Sequence, residues 1–89
     1  MITVEKINAS TFKVTVKGGN TTTNHTVSLS PSYYKELTGG KISEEDLVEN
    51  SFEFLLERES NTSILNSFDL PVIGRYFPEY ENSIREMLK

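Results

Sequence analysis

The chain has 89 residues, 36% of them hydrophobic and 25% charged, with a net charge of −4 and no cysteine. A chain of this size folds as one domain around a modest core, and the absence of cysteine excludes disulfides, thiolate metal sites and thiol nucleophiles. No apolar run approaches the roughly 20 residues that cross a bilayer, and no basic segment leads into an apolar one at the start. The expectation is therefore a cytoplasmic protein without a membrane span.

From Met1 to Ser30 the apolar residues recur with period two: Ile2/Val4, then Phe12/Val14/Val16, then Val27/Leu29, alternating with Thr, Lys and Ser. Such alternation predicts half-buried strands. Asn8-Ala9-Ser10 and Gly18-Gly19-Asn20 supply the turn residues between them, so two consecutive hairpins form a three-stranded antiparallel meander. A small sheet is marginal alone in water, and the remainder of the chain must cover one of its faces.

Ser30-Pro31 predicts an N-cap followed by proline at the first helical position, and Gly39-Gly40 ends that short helix. Ser43 followed by Glu44, Glu45 and Asp46 predicts a second N-cap with acids in the first turn, where the helix dipole favours them. Leu47, Val48, Phe52, Leu55 and Leu56, bordered by Phe54, then give the main helix a wide apolar arc that lies on the sheet. Residues 59–63 break the period. Asp69-Leu70-Pro71 reads as the start of a short helix to about Phe77, and Glu79–Leu88 as a last helix with Tyr80, Ile84 and Leu88 on one stripe. The predicted fold class is α+β: an N-terminal three-stranded meander covered by three to four C-terminal helices.

Charge is unevenly spread. Residues 1–43 carry five lysines against two glutamates, a net of +3, whereas residues 44–89 carry four bases against eleven acids, a net of −7. On the main helix Asp46, Glu49, Glu53 and Glu57 form a carboxylate ridge opposite the apolar arc. The ordinary reading is a solvated face. The sharper one is a docking strip for a basic partner or for the lysine-bearing sheet of a second copy. Arg58 falls within the apolar arc, and its position near the helix end predicts that it snorkels outward to pair with a carboxylate or the last carbonyls.

His25 is the only histidine and shares a strand face with Thr23 and Val27. Nothing nearby in sequence converges with it, so neither a metal site nor an acid–base pair is predicted, and no cofactor is. Gly39-Gly40-Lys41-Ile42-Ser43 lacks the spacing of a phosphate loop and follows a helix rather than a strand. Nucleic-acid binding is disfavoured by the acidic total, although Lys13, Thr15 and Lys17 would lie beside Thr22, Asn24 and Thr26 on the polar sheet face. The densest aromatic stretch is Arg75-Tyr76-Phe77-Pro78-Glu79-Tyr80, with Tyr33-Tyr34 a second pair. Phe77 reads as core. Arg75, Tyr76 and Tyr80 are candidates for a partner surface, since tyrosine and arginine concentrate at binding hot spots.

Ser51-Phe52-Glu53-Phe54-Leu55-Leu56-Glu57-Arg58-Glu59, continuing through Ser63-Ile64-Leu65, Phe68-Asp69-Leu70 and Tyr76-Phe77-Pro78-Glu79-Tyr80, resembles a family of small uncharacterised prokaryotic proteins of comparable length. The resemblance implies a prokaryotic setting and carries no activity, cofactor or catalytic residue. The leading functional expectation is a non-enzymatic protein-interaction or regulatory module that binds another protein or a second copy of itself through the acidic ridge or the Tyr76–Tyr80 region. The alternative is a small-molecule-binding protein or minor enzyme with a site near His25 and Arg58.

Overall fold

In a computed structural model that describes all 89 residues, strands β1 (Ile2–Asn8), β2 (Thr11–Gly18) and β3 (Thr21–Ser28) form the antiparallel meander that the alternation predicts. The Asn8 side chain caps the first turn by accepting from the Ser10 amide at 3.0 Å, and Gly19 takes the left-handed φ of 57° that the second turn needs. Register places Val4 across from Val14 and Val14 across from His25, with Phe12 facing Val27. Phe12, Val14, Val16, His25 and Val27 are buried on one face, while Lys13, Lys17, Thr22, Asn24 and Thr26 stand exposed on the other.

Helices α1 (Pro31–Thr38) and α2 (Glu44–Leu56) begin where the caps predict. The Ser30 hydroxyl accepts from the Tyr33 amide at 3.2 Å, and that of Ser43 from the Asp46 amide at 3.0 Å. Gly39 ends α1 in the left-handed region at φ 64°. One 3₁₀ turn follows at Asn61–Ser63.

The sequence expectation needs one correction to the sheet. Ser67–Asp69 is not loop and helix start but a fourth strand, β4, paired parallel to β3 with Val27 beside Phe68 and Ser28 beside Asp69. The sheet is therefore mixed, in the order β1-β2-β3-β4. Three residues are too few to show a period, and Ser and Asp are poor strand formers, so the signal was absent from the sequence. Helices α3 (Val72–Tyr76) and α4 (Tyr80–Met87) complete the chain.

Helix α2 crosses the sheet obliquely. Near its start Glu44 accepts from Lys6 of β1 at 2.8 Å; further along, the Phe52 ring lies 5.3 Å from that of His25 on β3 and 6.0 Å from that of Phe68 on β4. Its other flank meets α4, where Phe54 packs edge-on against Tyr80 and Phe77. The polar exception in this flank is Ser51, fully buried, which donates to the Leu47 carbonyl at 2.7 Å and lies 2.6 Å from the Tyr80 hydroxyl. With its one proton committed to Leu47, Ser51 accepts the proton of Tyr80.

This directionality sets an order of costs. Tyr80→Phe leaves Ser51 satisfied by Leu47 and is expected to cost about 0.5–1.5 kcal/mol, whereas Ser51→Ala strands the buried Tyr80 hydroxyl and is expected to cost about 1–3 kcal/mol. Urea unfolding of the two variants checks the order, and a larger loss for Tyr80→Phe would contradict the assignment of donor and acceptor.

Candidate functional site

Five large hydrophobic side chains are exposed: Met1, Ile7, Leu65, Tyr76 and Met87. Ile7 stands at the bulge where the β1 register shifts, and Met1 and Met87 lie at the chain ends. Leu65 and Tyr76, 47% and 67% exposed, flank one groove of about 220 Å³ beside β4.

The groove is assembled from four pieces of chain. Leu55 comes from the last turn of α2 and Glu59 from the turn after it; Ser63, Ile64 and Leu65 from the 3₁₀ turn and the link after it; Phe68 from β4; Val72, Ile73, Tyr76 and Phe77 from α3 and its end. Eight of these ten are hydrophobic, and Glu59 is the single charged one. The floor is rigid, because Ile64 and Ile73 belong to the buried core. Its wall at Leu65 is tied to the sheet by His25. The Leu65 carbonyl can only accept, so the ring donates from Nδ1 over 2.7 Å, and Nε2 takes a hydrogen bond from Thr23 Oγ1 at 2.9 Å. His25 is thus an anchor for the groove wall, with both nitrogens engaged.

Arg58 lies just past the end of α2 and turns to a carboxylate and a last-turn carbonyl, as its place near the helix end predicts. Its guanidinium lies 3.6 Å from the centre of the Phe54 ring and donates to the Phe54 carbonyl (3.0 Å), to Glu79 (3.1 Å) and to Glu57 (3.2 Å). Hydrogen bonding, from its own backbone first and then from Arg58, holds the Glu79 carboxyl below its ordinary range. His25 and Arg58 share no partner, and neither lines the groove.

The remaining candidates separate likewise. Asp46, Glu49, Glu53 and Glu57 are all exposed, and of the four only Glu57 meets a base, Arg58. Tyr80, a candidate for the partner surface, is fully buried and belongs to the core; the same aromatic stretch leaves Tyr76 and Arg75 exposed. Burial raises the Tyr80 hydroxyl well above the ordinary tyrosine range. Tyr33 is raised too, by burial and by its hydrogen bond to Glu81 at 2.8 Å.

A second recess, of about 260 Å³, lies where Ser10, Ser28, Ser30, Asp69 and Pro71 meet. Its Asp69 carboxylate accepts from the Ser28 hydroxyl, and no histidine lies among its lining residues to activate a serine. No three His, Asp or Glu side chains converge as a metal-ligand set, and no helix is long and apolar enough to cross a membrane. No family model, curated protein or solved structure matches the chain.

Proposed function

We propose that the protein is a non-enzymatic binding module whose working surface is the groove between Leu65 and Tyr76, and that its ligand is a short apolar segment of another protein. The observation that carries this reading is that two strongly exposed apolar side chains line one apolar groove whose lining also includes residues of the buried core. Exposed apolar surface concentrated in one place marks an interaction site, whereas scattered exposed side chains do not. At about 220 Å³ the groove is smaller than the roughly 300–1,000 Å³ of sites that enclose cofactors and metabolites. It suits one or two side chains of a peptide.

A small-molecule site shared by His25 and Arg58 has less support, since the polar groups of each are already engaged by separate partners. The acidic ridge of α2 is solvated surface in this reading. The stretches that resemble the small prokaryotic family supply eight of the ten groove residues, and on that resemblance we place the module in a prokaryotic cytoplasm.

Selection of random displayed dodecapeptides on the folded chain tests the proposal. Apolar sequences carrying a basic residue are expected to be enriched, and Tyr76→Ala is expected to weaken them by roughly 30-fold, the effect of removing a hot-spot tyrosine worth about 2 kcal/mol. Failure to enrich any sequence, or equal binding to the Tyr76→Ala variant, would overturn it.

A further inference from the structure

The groove opens beside an unpaired sheet edge. Thr26 donates its amide to the Asn66 carbonyl at 2.7 Å, and Leu70 donates to that of Ser28 at 2.9 Å. Peptide groups alternate along a strand, so those of Ser67 and Asp69 point away from β3, and β4 is the last strand of the sheet. Asn66, Ser67 and Asp69 are exposed, leaving these outward groups accessible to a further strand. Phe68, between them, turns its side chain to the groove.

We propose that the bound segment docks as a fifth strand along β4, directing alternate apolar residues into the groove and the intervening basic residues over the polar face of the sheet beside Asp69. This rests on the groove being the binding surface and adds the conformation and chemistry of what it binds. Strand addition supplies main-chain hydrogen bonds, and a groove under one face selects every second side chain. Charge selects the others: Asp69 stands at the edge on the polar face, and residues 44–89, to which β4 belongs, carry a net −7.

The opposite edge of the sheet is closed to such pairing. On β1, Lys6 is tied to Glu44 and the register shifts between Lys6 and Asn8, both of which guard an edge strand. The same guarding argues against a second copy as the occupant. Its β4 surface would meet this one with like charge, and its more basic edge is the one that Lys6 and the bulge protect.

The probe is a capped hexapeptide of alternating leucine and lysine, titrated into the isotope-labelled full chain at low salt. Amide shifts are expected at Ser67 and Asp69 together with Leu65 and Tyr76, and binding is expected to weaken as salt rises. Methylating the backbone nitrogens of one alternate set, the lysines for an antiparallel strand or the leucines for a parallel one, should weaken binding at least about tenfold, while the other set is tolerated. Binding that is lost in Tyr76→Ala but indifferent to both methylated sets would overturn the fifth strand and leave the groove reading intact. Absence of shifts at all four residues would overturn both. Self-association of the free chain that Tyr76→Ala abolishes would make a second copy the occupant and overturn the segment chosen here.

Discussion

Phe52→Ala is expected to lower stability by about 3–5 kcal/mol, the usual cost of emptying a large buried aromatic site. Phe52 is fully buried at the point where α2 crosses from β3 to β4, with its ring against His25 and Phe68. Both of these neighbours are held in sheet register, so little relaxation is open to them to fill the gap. Small domains have on the order of 5–15 kcal/mol in total, which puts the variant close to unfolding. Urea denaturation gives the number directly. A midpoint shift of less than about 1 kcal/mol would mean that α2 does not press on the sheet as described.

The second large effect is an alkaline loss of stability centred on Tyr80. A folded tyrosine whose hydroxyl is raised above the ordinary value of 10.0 keeps its proton while the unfolded chain releases it. The unfolded state then binds fewer protons, so stability is flat below about pH 10 and falls as pH rises beyond it, by about 1.4 kcal/mol per unit for one fully buried tyrosine. At pH 12 the loss from Tyr80 reaches roughly 2.7 kcal/mol. Tyr33, raised by burial and by its hydrogen bond to Glu81, acts in the same direction, and Lys6, raised by its hydrogen bond to Glu44, adds in the same sense. Urea midpoints at a series of alkaline pH values measure the slope. Tyr80→Phe should flatten its share of it, and an unchanged slope in that variant would show that the buried hydroxyl is not a source.

The meander was legible because its strands are seven or eight residues long, enough for alternation to show which face is buried. The starts of α1 and α2 were legible because Ser30-Pro31 and Ser43 act through their own neighbouring amides, a local chemistry. What depends on distant chain was not. Asn61-Thr62-Ser63 falls in the stretch that breaks the period, yet Asn61 is buried and accepts from Thr21 across 40 positions at 3.2 Å. Tyr76 and Tyr80 belong to one aromatic stretch; the stripe that Tyr80 shares with Ile84 and Leu88 turns it inward, where it meets the buried hydroxyl of Ser51 on another helix. The groove is the extreme case: its walls come from residues 55 to 77, and the strand that borders it is three residues long. The aromatic density around Tyr76 marks one of the groove's lining residues and gives no sign of Leu65, which lines it too.

The most direct measurement is a map of backbone amide shifts across the whole chain as a peptide from the display selection is titrated in. The groove account predicts shifts concentrated at Leu65, Phe68, Val72 and Tyr76, with Asp46, Glu49 and Glu53 unmoved. Shifts confined to those three carboxylate-bearing residues of α2 would contradict it and make the acidic ridge the binding surface.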